Sequence, residues 1–222
     1  MNVRLLDNAL PACRLETWHT VFIYSPDDMQ VTDTNIAFDP AADTSAKEIS
    51  LGEAAEIIRN LTEVPALEQI REWFSSLALR QRDYERYRLF AARKYARNLV
   101  ARSSFAEMLM LCWRSGQRTP IHDHGGSVGV VMVCEGLLTE TMFEHVPEGR
   151  VRPYNTYRWG PGSITGADVP DVHQLLNLQP AGRDMVTLHC YAPPLSVLNT
   201  YSPRSSRVGR WREGYFTGGA GI

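Results

Sequence analysis

Two histidines one residue apart, His122 and His124, lie in the stretch Arg118-Thr119-Pro120-Ile121-His122-Asp123-His124-Gly125-Gly126. Imidazole nitrogen is a good ligand for first-row divalent metals. Side chains two apart on a β-strand point to the same face. On a strand, His122 and His124 would therefore form half of a metal site, and His173 is the candidate third ligand. Asp123 falls on the opposite face, where a supporting hydrogen bond is expected rather than ligation. His19 and His145 have no companion motif and read as surface residues.

The elements that must hold these histidines lie mostly after Lys94. Apolar runs recur at Tyr95–Val100, Phe105–Trp113, Val128–Cys134, Thr139–Phe143, Tyr154–Trp159 and Val186–Tyr191. Turn residues such as Ser115-Gly116, Glu135-Gly136, Gly160-Pro161-Gly162 and Pro180-Ala181-Gly182 separate them. Short strands at this spacing predict an antiparallel sandwich or barrel. Before them, Ser50 and Glu53 make a capping box for a first helix carrying Ala54, Ile57, Ile58 and Leu61 on one face. A second helix is expected from Pro65 onward, with Leu67, Ile70, Trp73, Phe74 and Leu77 inward. A third is expected over Asp83–Ala92. Together the three predict a packed helical cap. Leu15–Tyr24 fits a short strand or helix, and Asp27–Ser45 reads as loop. The expected division is an N-terminal extension over 1–48, a domain over 49–201 (cap 50–93, barrel 94–201) and a tail over 202–222.

Composition narrows the function classes. The formal net charge of −2 gives no basic footprint for nucleic acid. No stretch approaches the 18 or so apolar residues that a membrane helix needs, and no secretory signal is evident at the N-terminus. A cytoplasmic protein with neither nucleic-acid nor membrane partners is expected, as a monomer or a dimer. Cys13, Cys112, Cys134 and Cys190 form no CxxC pair, so they read as reduced thiols, mostly buried.

The spacing Gly116, five residues, His122, one residue, His124 is similar to the first motif of the cupin jelly-roll family. The closing glycine of that motif falls at Gly136, and the His-x3-Asn of the second motif falls at His173 and Asn177. Beyond these motifs, five segments in order resemble the cysteine dioxygenase family: Tyr95–Val100, Leu109–Trp113, Ile121–His124, Gly136–Thr141 and Leu188–Pro194.

The resemblance implies a mainly β cupin jelly-roll barrel with an N-terminal helical cap, holding one Fe(II) on His122, His124 and His173. It implies an O2-dependent enzyme that converts a small thiol to a sulfinate. Arg97 would pair with the substrate carboxylate, with Tyr95, Leu111 and Trp113 lining the substrate site. Tyr191 would be the active-site tyrosine and His189 its hydrogen-bond partner, and Thr187 could extend that relay. From the residues alone, Arg97 could instead form a structural ion pair with Glu107 or Glu140. A cis bond before Pro193 is also expected.

The departures carry information. Where cupins usually place a glutamate ligand this chain has Gly129, so the expected site is three histidines without a carboxylate. Such a site leaves a divalent ion its full charge and suits an anionic ligand. Animal members of the family have at this position a cysteine bonded to the tyrosine that matches Tyr191, and Gly129 cannot form that bond. Arg97 favours L-cysteine, because related enzymes for 3-mercaptopropionate often carry Gln there. 3-Mercaptopropionate and mercaptosuccinate stay open as substrates. A ring-cleaving dioxygenase, a zinc enzyme and a non-catalytic sensory cupin also stay open.

Overall fold

The period-two alternation after Lys94 becomes two facing β-sheets in a computed structural model of the chain, which describes residues 31–32, 48–167 and 171–216. The strands are β1 Val31–Thr32, β2 Ala96–Arg102, β3 Glu107–Trp113, β4 Ile121–His122, β5 Val128–Glu135 and β6 Leu138–His145. They continue with β7 Val151–Trp159, β8 Ile164–Ala167, β9 Val172–Leu176, β10 Met185–Ala192, β11 Val197–Ser202 and β12 Ser205–Arg212. One sheet has the order β2-β3-β10-β5-β8 and the other β1-β7-β6-β9-β4-β11-β12. All neighbours are antiparallel except β1, which runs parallel to β7. This is the jelly-roll layering that the motifs imply, built as two ladders.

The five-stranded sheet is buried on both faces, and alternation assigns each side chain to one of them. Leu109, Leu111 and Trp113 of β3 point between the sheets, where they meet Val131 and Val133 of β5 and Leu138, Leu175 and Leu198 of the facing sheet. Met108, Met110 and Cys112 point outward onto the helices. Helix α1 (Leu51–Arg59) and helix α2 (Leu67–Ser75) cover that face with Leu51, Ala54, Ile58, Ile70 and Phe74. Full burial of side chains of this size contributes about 1.5–3 kcal/mol each. The capping box forms as expected: Glu53 N–H donates to Ser50 Oγ, and the Ser50 N–H donates to the Glu53 carboxylate. The thiols of Cys112 and Cys134 are unbridged, and burial pushes both up to about 12.

The third helix is shorter than expected. Helix α3 spans only Gln81–Tyr84, and a 3-10 turn follows at Glu85–Tyr87. Beyond it the chain is held by side chains from the sheet rather than by helical bonds. Arg88 forks onto Glu135, Asn98 Nδ2 donates to the Leu89 carbonyl, and Gln117 Nε2 donates to the Ala91 carbonyl.

The two ends of the chain also differ from expectation. Leu15–Tyr24 lies outside the described residues. Within the span expected as loop, Val31 and Thr32 form a strand paired with Thr156 and Tyr157. The segment after 202, set apart as a tail, supplies edge strand β12 through residue 212. It then returns to β2, where Phe216 N–H donates to the Arg97 carbonyl at 2.8 Å. The peptide bond between Ala192 and Pro193 is cis.

Candidate active site

His122 closes β4 and faces His173 of β9 across one rung of the ladder. His124 lies just beyond the strand end, in the turn carried by Gly125 and Gly126, so only His122 occupies the expected strand. The turn still brings both rings to one side. The three ring centres are 4.8–5.4 Å apart, and the rings are buried between the sheets. One nitrogen from each lies within 4.8 Å of the others. Asp123 points away, as expected, and accepts hydrogen bonds from the Tyr201 hydroxyl at 2.6 Å and from Asn199.

The other nitrogen of each ring is already held. Nδ1 of His122 sits 2.9 Å from the Pro120 carbonyl, Nδ1 of His124 sits 3.1 Å from Asp171, and Nδ1 of His173 sits 2.7 Å from Glu140. These partners can only accept, so each Nδ1 carries a proton, and in its neutral form each ring turns a bare Nε2 inward. Nε2 of His124 and Nε2 of His173 are only 3.2 Å apart. Two lone pairs at that distance repel unless a proton or a cation lies between them. The residues thus fit a divalent metal: three converging neutral donors, each oriented from behind.

Burial, and then the neighbouring imidazoles, hold the His122 pKa well below its usual value. At His173 burial acts in the same direction, but the Glu140 hydrogen bond outweighs it and the pKa is raised. Burial favours the neutral form of Glu140 and Asp171, yet their histidine partners keep both carboxyl pKa values low.

A hydrogen-bonded row runs along one face of β10. Trp113 Nε1 is 2.9 Å from Thr187 Oγ1, which is 2.7 Å from His189 Nε2, and His189 Nδ1 is 2.9 Å from the Tyr191 hydroxyl. The indole can only donate, so it fixes the direction of the row. Thr187 accepts from Trp113 and donates to His189 Nε2. Burial, and then the charge of Arg97, keep His189 neutral, so its single proton sits on Nδ1 and is donated to Tyr191. The Tyr191 hydroxyl is left with its own proton to donate elsewhere. Burial raises the Tyr191 pKa, so that proton stays in place. The Tyr191 ring centre is 5.4 Å from that of His124.

The Arg97 guanidinium carbon is 6.0 Å from the Tyr191 ring centre. Arg97 makes one of the two ion pairs that the sequence left open: Nη2 donates to Glu107 at 2.9 Å and to the Leu195 carbonyl at 3.2 Å. Glu140, the other candidate partner, is engaged with His173 instead. Burial opposes the charge on Arg97, but Glu213, Tyr191 and Glu107 outweigh it and keep the guanidinium charged. Its Nε is buried with no hydrogen-bond partner among the described residues. An unsatisfied buried donor costs about 1–3 kcal/mol, and more when charged. Leu111 is the ladder partner of Arg97 and is buried against the same cluster. Tyr95 stacks on Trp113 at 4.4 Å and donates to Glu213. Trp113 is fully buried, and its one donor is committed to Thr187.

A model of the family described as cysteine dioxygenase type I matches residues 42–204 of this chain. The chain belongs to the cysteine dioxygenase type I family.

Relatives named cysteine dioxygenase type 1 agree. The Danio rerio protein is 26% identical over 149 residues, which cover 63% of this chain and 71% of its own. The Rattus norvegicus protein is 26% identical over 165 residues, covering 68% of this chain and 80% of its own. The Homo sapiens protein is 29% identical over 133 residues, covering 55% and 63%. The chain is therefore a cysteine dioxygenase-like, O2-dependent oxidoreductase with a non-haem iron cofactor, and the triad of His122, His124 and His173 suits that metal. Its substrates are O2 and a small thiol. No helix among the described residues is long and apolar enough to cross a membrane.

Asp171 and Glu213 were not anticipated at the site, and Glu107 and Glu140 were expected only as alternative ion-pair partners of Arg97. Glu140 lies diagonally across the β6–β9 ladder from His173, within reach of a long side chain. Asp171 stands two residues before His173. Glu107 and Glu213 flank Arg97 and Tyr95. Glu107 and Glu140 lie on strands and Asp171 and Glu213 flank strand ends, and only the register brings them to the site.

Proposed function

We propose that this protein is an iron thiol dioxygenase that adds both atoms of O2 to the sulfur of a small thiol carboxylate, L-cysteine first among them. The observation that carries this reading is the Arg97 Nε: a buried, charged donor without a hydrogen-bond partner among the described residues, on a guanidinium 6.0 Å from the Tyr191 ring, whose centre is 5.4 Å from that of His124. A carboxylate is the group that such a donor takes, and the proposed substrate has its thiol at the three histidines and its carboxylate at Arg97.

Fe(II) bound by the three histidines supplies the thiolate and O2 sites and the redox chemistry. The chain's own residues do the rest. Glu140, Asp171 and the Pro120 carbonyl hold the Nδ1 protons and so aim the three Nε2 atoms inward. Arg97 fixes the substrate at its carboxylate end, so the sulfur arrives in one orientation. Leu111, Leu198 and the Trp113 ring keep water from the space between the sheets. The Tyr191 hydroxyl, with its proton free, donates to negative charge that develops on oxygen during transfer. The reaction balances as R–SH plus O2 giving R–SO2H: sulfur supplies every electron that O2 accepts, and no external reductant is needed.

The Arg97 side chain favours L-cysteine over 3-mercaptopropionate. Thiol-dependent O2 uptake, with the sulfinate product identified, tests the reading.

A further inference from the structure

The C-terminal segment Glu213–Phe216 touches the substrate end of the site at two independent points. Glu107 is the first. Its Oε1 accepts from Arg97 Nη2 and from the Leu195 N–H at 3.1 Å, and its Oε2 accepts from the Tyr215 hydroxyl at 2.6 Å. Burial, and then Glu107, push the Tyr215 pKa up to about 12, so the hydroxyl keeps its proton and donates. The second point is Glu213, whose carboxylate accepts from the Tyr95 hydroxyl. Its other oxygen is buried without a hydrogen bond, with the half-exposed Lys94 ammonium 3.9 Å away. The segment itself is pinned by Glu213 N–H to the Ser196 carbonyl and by Phe216 N–H to the Arg97 carbonyl.

We propose that Glu213 and Tyr215 are positioning residues for substrate recognition, and that this strap, by holding Nη2 on Glu107, leaves the Arg97 Nε–H for the substrate carboxylate. Tyr215 fixes Glu107, and Glu107 commits Nη2 to the strap side. The Nε–H, which has no partner among the described residues, is then the donor left for a carboxylate. Glu213 adds a buried negative charge that keeps Arg97 ionised, and it holds Tyr95 against Trp113. This inference rests on the reading that Arg97 binds the substrate carboxylate.

Anaerobic equilibrium binding of L-cysteine to the Fe(II)-loaded full chain is the test. It is run on wild type, Tyr215→Phe, Glu213→Gln, Arg97→Ala and the double variant Tyr215→Phe/Arg97→Ala. Tyr215 is more than one-third exposed, so its phenylalanine variant removes one hydroxyl and little packing. Tyr215→Phe should weaken L-cysteine binding about tenfold, the worth of one hydrogen bond, with iron content and Tm unchanged. Glu213→Gln should weaken it in the same direction. The double variant should bind no worse than Arg97→Ala, because the strap acts through the guanidinium. Unchanged binding in both strap variants, or a loss that adds fully to that of Arg97→Ala, overturns the role of the strap while leaving Arg97 in place. If Arg97→Ala itself binds L-cysteine as tightly as wild type, the carboxylate reading fails, and the strap inference with it.

Discussion

Gly129 lies directly across the β5–β10 ladder from Tyr191, and a Cβ built on it would stand 3.1 Å from the tyrosine ring and 3.6 Å from the His124 ring. The position left empty by glycine is therefore the one from which a side chain could reach either the tyrosine or the metal. Gly129→Cys should place its sulfur beside the ring after a shift of a few tenths of an ångström. With iron, O2 and thiol present, the variant should form a thioether to Tyr191. Mass spectrometry of the tryptic peptides would read it as the loss of two hydrogens. A variant that turns over yet never crosslinks would mean that the two side chains do not meet as the ladder places them.

The direction of the row from Trp113 to Tyr191 makes its own prediction. Without the Thr187 hydroxyl, His189 Nε2 loses its donor and the ring can take the other tautomer. The Tyr191 proton would then turn toward His189 and away from the pocket. Thr187→Val should lower kcat by about 10²-fold, the order seen when one oriented donor is lost. KM and iron content should stay close to wild type in the same steady-state assay. A loss confined to KM would place the row in binding rather than in proton donation.

Metal affinity should depend on pH through Glu140. Burial opposes a charge on His173, but Glu140 outweighs it and lifts the pKa above 6.5. In the metal-free protein the imidazolium thus contributes stability that is fully present below pH 6.5 and lost as pH rises through the raised value. A metal needs the neutral ring and must displace that proton. Affinity should therefore climb about tenfold per pH unit up to the raised pKa and then level off. Glu140→Gln should reach the plateau at lower pH. Co(II) titration followed by absorbance checks this, and a flat profile over roughly pH 5 to 8 in the wild type would contradict it.

The strands that carry the chemistry were legible as short apolar runs between turn residues. β3, β5 and β10 are apolar on both faces and bounded by turns such as that at Gly136. This glycine has φ +81°, and a Cβ there would meet the Asp184 carbonyl at 2.8 Å. The metal triad was legible from motif spacing, even though His124 sits past the end of a two-residue strand. β12 was not, because Ser205–Arg212 is exposed along most of its length and is held by its ladder to β11 rather than by an apolar face. Glu140, Asp171 and Glu213 had no signal of their own. A carboxylate that supports a site is marked by the register that brings it there, and neither the β6–β9 pairing nor the return of residue 213 to Tyr95 can be read from composition. The helix expected through Ala92 ends early, and beyond it the Leu89 and Ala91 carbonyls accept from Asn98 and Gln117.

The most direct measurement is thiol-dependent O2 consumption by anaerobically Fe(II)-loaded protein, with product analysis, across L-cysteine, 3-mercaptopropionate and mercaptosuccinate. The account predicts one O2 consumed per sulfinate formed, with L-cysteine giving the highest kcat/KM. Absence of O2 uptake with all three thiols in protein shown to hold iron would contradict it.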